Sequence, residues 1–156
     1  MSTEKKHKWL YSIAGVLAAA AVGLFLFAGA SSGSDLPEMT VYKSASCGCC
    51  AEWVDHMEDA GFDVEVIEDR DLRAVKAEAR VPQAVHSCHT AKVGGYVVEG
   101  HVPADDVKRM LRDSLPVHGI GVGGMPKGSP GMPGVPEPYA VQAFTADGET
   151  AVWVRH

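Results

Sequence analysis

Three of the four cysteines of this 156-residue chain lie in one stretch, Cys47-Gly48-Cys49-Cys50. Thiolates are soft ligands that favour Cu(I), zinc and iron–sulfur centres. Cys47 and Cys50 keep the C-x-x-C spacing of a redox dithiol, and the N-terminal end of a following helix would favour their thiolates. Cys49 adds a third sulfur that dithiol chemistry does not need, which favours metal. Because the side chains at 49 and 50 diverge, we expect the sulfurs to bridge two or more copper ions. The alternative is a redox or structural Cys47–Cys50 disulfide, with Cys49 a small buried hydrophobe.

The fourth cysteine, Cys88, is followed by His89, and a further histidine, His101, stands between Gly100 and Val102. Neutral imidazole suits copper or zinc, so both histidines are candidate ligands beside Cys88. The alternatives are an inert buried cysteine and histidines that are internally satisfied or face the solvent. Three other histidines carry no ligand prediction: we expect His56 and His86 at the surface and assign no place to His118.

Residues 118–138 contain seven of the 17 glycines and five of the nine prolines. This composition predicts neither a helix nor a central strand there. Gly124-Met125-Pro126 recurs as Gly131-Met132-Pro133, which places two thioethers outside any core stripe. Thioethers select Cu(I) over zinc, so Met125 and Met132 are candidate copper ligands, with gap-filling packing as the alternative. We expect Met39, Met57 and Met110 in the core.

The elements that must position these residues follow from periodicity and capping signals. The first two predicted elements after the apolar N-terminal segment are a strand and a helix, and the cysteine stretch lies between them. Gly94-Gly95 predicts a hairpin turn. The predicted elements are a strand at 39–43, a helix at 50–60 capped by Gly61, a strand at 62–67, a short helix over Leu72, Val75 and Ala79 capped by Asp69 or Asp71, a hairpin of 88–93 and 96–98, a helix opened by Pro103 with the stripe Val107, Met110, Leu111 and Leu115, and strands near 139–144 and 150–154. This order predicts an α/β fold with a mixed, thioredoxin-like sheet.

The N-terminus predicts export. Lys5, Lys6 and Lys8 precede an apolar run that reaches Ala30, long enough for one membrane-spanning helix. Ala28-Gly29-Ala30 also has the form of a signal-peptide cleavage site, so a cleaved signal is the alternative to an uncleaved anchor. The predicted organisation is an anchor or signal at 1–30, a linker at 31–38 and one globular domain at 39–156. In an oxidising compartment the four cysteines could also form two structural bridges.

The charge of the exported part excludes one class of function. Residues 31–156 hold eleven Lys and Arg against nineteen Asp and Glu, a net charge near −8. Phosphate-neutralising nucleic-acid binding is therefore not expected, whereas an acidic surface does not repel a cationic metal.

Several motifs together resemble those of the CopG-like copper-resistance proteins, a bacterial periplasmic family long listed as a domain of unknown function. The resemblance covers roughly residues 39–145. It departs from the family pattern at Gly123, where proline is usual, and in the Pro-rich stretch 135–138. The motifs are Cys47-Gly48-Cys49-Cys50, Ser87-Cys88-His89-Thr90-Ala91, Gly94-Gly95-Tyr96, Glu99-Gly100-His101-Val102-Pro103 and the segment 124–132. The resemblance implies a thioredoxin-like fold that binds copper, most simply Cu(I), through Cys47, Cys49, Cys50 and Cys88, with Met125, Met132, His89 and His101 as further candidates.

Three functions are therefore open from the sequence. The first is an exported copper-binding protein of the periplasm that contributes to copper resistance, supports Cu(I)/Cu(II) cycling and exchanges metal with other periplasmic copper-handling proteins. The second is a periplasmic thiol–disulfide oxidoreductase in which Cys47 is the nucleophile and Cys50 the resolving thiol. The third is an inert export domain held by two structural disulfides.

Overall fold

The computed structural model of the chain describes residues 35–69 and 71–156. The predicted anchor or signal at 1–30 and the first half of the predicted linker, residues 31–34, lie outside the described residues. Among the described residues, none of the helices has the length and apolar character needed to span a bilayer. The elements are β1 (Met39–Lys43), α1 (Gly48–Asp59), β2 (Val64–Glu68), α2 (Leu72–Glu78), a 3-10 turn (Gln83–Val85), β3 (Thr90–Val93), β4 (Tyr96–Glu99), α3 (Ala104–Asp113), β5 (Gly119–Gly121), β6 (Ala140–Phe144) and β7 (Thr150–Arg155).

The strands form one seven-stranded mixed sheet in the order β2-β1-β3-β4-β5-β6-β7. β1 is parallel to β2 and antiparallel to β3, with Val41 opposite Val66 on one side and Ala91 on the other. β4 pairs with β5 in parallel, and β6 and β7 extend the sheet in antiparallel fashion. The predicted α/β class with a mixed sheet is confirmed.

Helix α1 ends as its sequence predicts. Gly61 has a φ of +94°, its N–H donates to the Glu58 carbonyl at 2.8 Å, and the Phe62 N–H donates to the Met57 carbonyl at 3.1 Å. This pair of bonds is the Schellman arrangement, in which glycine takes the left-handed position without steric cost. The apolar face of α1 buries Trp53 and Met57 completely, so the helix is fixed against the sheet directly behind the cysteine stretch.

Most other predicted elements are also present. Asp71 caps α2 by accepting the Ala74 N–H at 3.1 Å, and Gly94 and Gly95 turn the β3–β4 hairpin with positive φ. Helix α3 follows Pro103, but it ends at Asp113, so Leu115 lies beyond the helix and packs against the core from the following loop. The predicted core methionines, Met39, Met57 and Met110, are fully buried.

One prediction for the Gly/Pro-rich segment is wrong. Gly119, Ile120 and Gly121 form β5, a fully buried central strand between β4 and β6. No proline interrupts these three residues, and glycine lets the backbone approach its neighbours: a Cβ on Gly119 would lie 2.6 Å from Phe144 Cζ. The rest of the segment, up to β6, contains no helix or strand and is held by turns such as the Ser129 hydroxyl donating to the Pro126 carbonyl at 2.7 Å.

Candidate metal centre

The cysteine stretch forms the N-terminal end of α1. Cys47 is the N-cap residue with extended backbone, and Cys49 and Cys50 lie in the first helical turn. Cys47 and Cys50 are joined by a disulfide, whereas Cys49 and Cys88 are free thiols, so the two bridges considered from the sequence are reduced to one. Cys50 is fully buried, and the other three cysteines are half-buried. The centre is therefore partly open to solvent.

The four sulfur atoms converge. Cys49 Sγ lies 3.6 Å from Cys47 Sγ, and the sulfurs of Cys47, Cys49, Cys50 and Cys88 are all within 4.8 Å of one another. Cys88 reaches the cluster from the loop that precedes β3, forty residues downstream, because β3 lies next to β1 in the sheet. The convergence expected from the sequence is present in the structure.

A second group of donor atoms shares Cys88. Its Sγ lies 3.0 Å from His101 Nε2 and 3.3 Å from His89 Nδ1, and the three donor atoms could hold one metal ion. Burial, followed by the negative charge on Cys49, raises the pKa of the Cys88 thiol to about 11. The metal-free thiol is thus protonated at neutral pH, and a metal would have to displace that proton.

The orientation of His101 is set by the Gly/Pro-rich segment. Its Nδ1–H donates to the Pro130 carbonyl at 2.7 Å, which leaves the Nε2 lone pair for the Cys88 side. A histidine whose second nitrogen is held by a carbonyl is the usual arrangement around a metal. The Cys88 thiol has a single proton, which it donates to His101 Nε2. Towards His89 the sulfur can then only accept, so the His89 ring carries its proton on Nδ1 and donates it to the sulfur. His89 Nε2 then has a lone pair and no proton. Among the buried side-chain nitrogen and oxygen atoms of the described residues, it is the one that lacks a hydrogen-bond partner.

Both histidines are fully buried. Desolvation, followed by repulsion from a protonated His101 and from Lys76, holds the pKa of His89 well below its usual value. Desolvation also lowers the pKa of His101, although the Pro130 carbonyl opposes the shift. Each imidazole is therefore neutral at physiological pH, which is the form that binds metal.

These pKa shifts predict acid sensitivity. Because the pKa values of His89 and His101 are lower in the folded chain than in the unfolded chain, the unfolded chain takes up protons first as the pH falls below about 6.5. We expect the free energy of unfolding to be at its plateau above that pH and to fall below it, by at most about 1.4 kcal/mol per pH unit for each histidine. Urea unfolding at pH 7.5, 6.5 and 5.5 measures this slope. A flat wild-type profile would contradict the expectation.

Residues 123–134, here called the Gly-Met loop, cover the centre. A Cβ on Gly131 would lie 2.7 Å from the Cys49 carbonyl oxygen and 2.8 Å from the Trp53 nitrogen. The Ser87 hydroxyl donates to the Gly124 carbonyl, and the Gly124 N–H donates to the His86 carbonyl at 3.0 Å. The loop is thus seated on α1 at one end and on the Cys88 loop at the other.

The two candidate thioether ligands lie on this loop. Met125 is 53% exposed, and Met132 is half-buried next to Gly131. Their role as copper ligands stays a prediction.

The seating of the Gly-Met loop can be tested with two glycines that share a left-handed backbone. Gly131 (φ +80°) has no room for a side chain, whereas Gly124 (φ +71°) has open space around it. Gly124→Ala should cost only the left-handed strain, about 1–2 kcal/mol, and Gly131→Ala should cost about 1–3 kcal/mol more because of overpacking. Thermal and urea unfolding of the two variants measure the difference. Equal losses would show that the loop is not seated on Cys49.

The three histidines without a ligand prediction, His56, His86 and His118, lie outside the metal centre. His56 was expected at the surface, but it is half-buried and its Nε2 accepts the Ala104 N–H at 3.0 Å. The reason is that α1 packs beside the start of α3, whose first amide groups lack helical partners. His86 is exposed, as predicted, and His118 Nε2 is 2.9 Å from the Ala79 carbonyl oxygen.

A buried ion pair next to the centre was missed from the sequence. Lys76 Nζ is 2.6 Å from Glu99 Oε1, and both side chains are almost completely buried. A signal was present: Lys76 stands four residues after Leu72 and three before Ala79, on the apolar face of α2, and Glu99 ends the apolar strand Tyr96–Val98. A buried charge requires a partner, but the sequence does not say which one.

Comparison with known proteins agrees with this arrangement. Residues 85–132 match the model of the family described as "Protein of unknown function, DUF411". The structure is similar to two solved structures, "Copper resistance protein copG- Form 2" (TM-score 0.74) and "Copper resistance protein copG- Form 1" (TM-score 0.73). Each match has 38% sequence identity and covers 78% of this chain, with 99% and 98% of the respective solved chains covered. The search of curated proteins found no match. With this identity over almost the whole length of the solved chains, the protein belongs to the CopG-like copper-resistance family.

Proposed function

We propose that the protein is an exported copper-binding protein that holds Cu(I) on the sulfur atoms of Cys47, Cys49, Cys50 and Cys88 and thereby contributes to copper resistance. The observation that carries this proposal is the convergence of four sulfurs within 4.8 Å. Four soft donors at such spacing suit a monovalent soft cation, and a sulfur that bridges two ions lets one compact cluster hold more than one.

Histidine completes the proposed ligand set. His89 presents Nδ1 at 3.3 Å from the Cys88 sulfur. His101 presents Nε2 at 3.0 Å from the Cys88 sulfur. A copper ion bound at Cys88 would replace the thiol proton that His101 Nε2 accepts, and it could bind His89 through Nδ1 once the ring proton moves to Nε2. Met125 and Met132 are proposed as weaker thioether ligands from the Gly-Met loop.

The disulfide couples copper binding to redox state. With Cys47 and Cys50 bridged, only Cys49 and Cys88 remain as thiols. The reduced dithiol can give two electrons to two Cu(II) ions, which yields two Cu(I), the disulfide and two protons. We propose this reaction as the basis of Cu(I)/Cu(II) cycling.

The compartment and fold description are part of the same proposal. The strand order β2-β1-β3-β4, with the cysteine stretch between β1 and α1, supports a thioredoxin-like description of this part of the sheet. We place the domain on the periplasmic side of the inner membrane, anchored by the N-terminal helix or released after Ala30, where other periplasmic copper-handling proteins would exchange metal with it. This placement is supported by the sequence of the N-terminus.

The test is a competition titration of the reduced full chain with a chromophoric Cu(I) chelator under anaerobic conditions. We expect more than one Cu(I) per chain to be withheld from the chelator. The air-oxidised chain, with its Cys47–Cys50 bridge, should withhold less, and the reduced chain with alkylated thiols should withhold almost none. Retention of no more than one weakly bound equivalent would reject the proposal.

A thiol–disulfide oxidoreductase is the second candidate, favoured by the Cys47–Cys50 disulfide at the N-terminal end of α1. It requires Cys47 to react quickly as a nucleophile with metal excluded. Reduction of a disulfide substrate by the chelator-treated chain, compared with a Cys47→Ser variant, separates the two candidates. Fast turnover that Cys47→Ser abolishes would favour the oxidoreductase, and no turnover above the buffer rate would exclude it.

A further inference from the structure

Four polar groups form a closed network beneath the metal centre. Both Glu99 oxygens are used: Oε1 accepts from Lys76 Nζ at 2.6 Å and from the Ser87 N–H at 2.6 Å, and Oε2 accepts from the Thr90 hydroxyl at 2.7 Å. Lys76 Nζ also donates to Thr90 Oγ1 at 3.0 Å. Glu99, Thr90 and Lys76 are at most 5% exposed. The carboxylate is thus buried, and both of its oxygens have hydrogen-bond partners.

The network is attached to the backbone on both sides of Cys88. Ser87, whose amide Glu99 holds, directly precedes Cys88, and Thr90 follows it by two residues. The next residue after Glu99, Gly100, donates its N–H to the His89 carbonyl at 3.1 Å. A Cβ on Gly100 would lie 2.5 Å from Ser87 Cβ, so the two backbones are in close contact there. The carboxylate therefore ties the peptide before Cys88 to the strand that leads to His101, in addition to the β3–β4 pairing.

A simple stabilising role does not explain this arrangement well. A buried ion pair can often be replaced by apolar side chains of similar size with little or no loss of stability, because desolvation offsets the attraction between the charges. An apolar pair would, however, leave the Ser87 N–H without an acceptor. Charge-assisted hydrogen bonds are short and directional, which suits a group that must hold a peptide in one place.

We propose that Glu99, paired with Lys76, is a positioning residue for copper that holds the peptide before Cys88 so that its sulfur meets both the cysteine stretch and His101. This inference rests on the proposed function for its copper part. Its structural part, the placement of the Cys88 thiol, can be measured without metal.

The decisive variant is Lys76→Met/Glu99→Leu, which removes both charges and the acceptor for Ser87. We expect Cu(I) affinity to fall by about 10–100-fold, the usual effect of removing a group that orients a ligand. In the metal-free chain, alkylation of Cys88 should become at least about 5-fold faster, read by peptide mass spectrometry that distinguishes Cys88 from Cys49. Lys76→Met/Glu99→Gln keeps a carbonyl acceptor for the Ser87 N–H and should restore most of both properties, which a role in charge balance alone would not predict.

The chain offers a matched control. Lys92 and Glu78 form an exposed ion pair at 3.2 Å, and Lys92→Met/Glu78→Gln should change neither the affinity nor the alkylation rate. A folded Lys76→Met/Glu99→Leu variant with the wild-type Cu(I) affinity and the wild-type alkylation rate of Cys88 would overturn the proposal. If that variant does not fold, Glu99→Asp decides: it keeps the charge but withdraws the carboxylate from Ser87, so unchanged alkylation of Cys88 would equally overturn the proposal. If the wild-type chain binds no copper, the proposed function fails, while the alkylation rates still test the placement of Cys88.

Discussion

Replacing Cys88 with serine is expected to lower the Cu(I) affinity of the reduced chain by about 100-fold or more. Cys88 belongs to both groups of donor atoms, the four sulfurs and the Cys88–His89–His101 set. A serine hydroxyl is a hard donor that Cu(I) does not favour. Removing groups that only orient a metal ligand already costs about 10–100-fold, so loss of the shared ligand should cost at least as much.

The affinity change is measured by anaerobic competition with a Cu(I) chelator, and thermal unfolding of the metal-free variant shows whether the fold is intact. Ser46→Ala is a suitable control, because this exposed hydroxyl directly precedes Cys47 and has a hydrogen bond only to Ser44 Oγ at 3.2 Å. Serine is close to cysteine in size, so the variant should fold. Wild-type affinity in a folded Cys88→Ser chain would move the copper site away from this cluster.

Local signals were enough to predict most of the elements. Gly61, Asp71 and the pair Gly94-Gly95 have conformational or capping requirements that act within a few residues, and each has the predicted role in the structure. The proximity of Cys88 to the cysteine stretch was also predictable, because the order of the strands places the start of β3 beside the end of β1.

The parts that could not be predicted depend on contacts between distant segments. The Pro130 carbonyl that orients His101 lies 29 residues away in the chain, and Lys76 meets Glu99 across 23 residues. His56 caps α3 from another helix, 48 residues from Ala104. Composition says that a buried histidine or lysine requires a partner, but only the packing of the elements decides which group supplies it.

Strand β5 could not be predicted either, because its formation also depends on contacts with distant segments. Glycine has low strand propensity because it offers no side chain to pack, so the rich glycine content around residues 119–121 argued against a strand. In the structure the absence of a side chain is what admits β5 between β4 and β6. The requirement comes from Val97 and Phe144, which contact Gly119 from the two neighbouring strands.

This contact predicts a large loss of stability for Gly119→Ala. The new Cβ would overlap the Val97 carbonyl oxygen and lie 2.6 Å from Phe144 Cζ and 2.9 Å from the Val97 carbonyl carbon. Because a backbone carbonyl in a central strand cannot rotate aside, we expect the upper end of the usual overpacking cost, about 3 kcal/mol. For a domain of this size that corresponds to a fall of about 10 °C in Tm, measured by thermal unfolding.

Gly121→Ala on the same strand provides the matched control. Its Cβ would lie 3.1 Å from Glu99 Cβ and 3.2 Å from Val85 Cβ, contacts that a shift of a few tenths of an ångström relieves. We therefore expect a loss of about 1 kcal/mol or less at this position. Since both substitutions add one methyl group to β5, a loss that is equally small at both positions would mean that β4 and β6 can separate to admit a side chain. The close approach of Val97 and Phe144 would then not be what requires glycine in this strand.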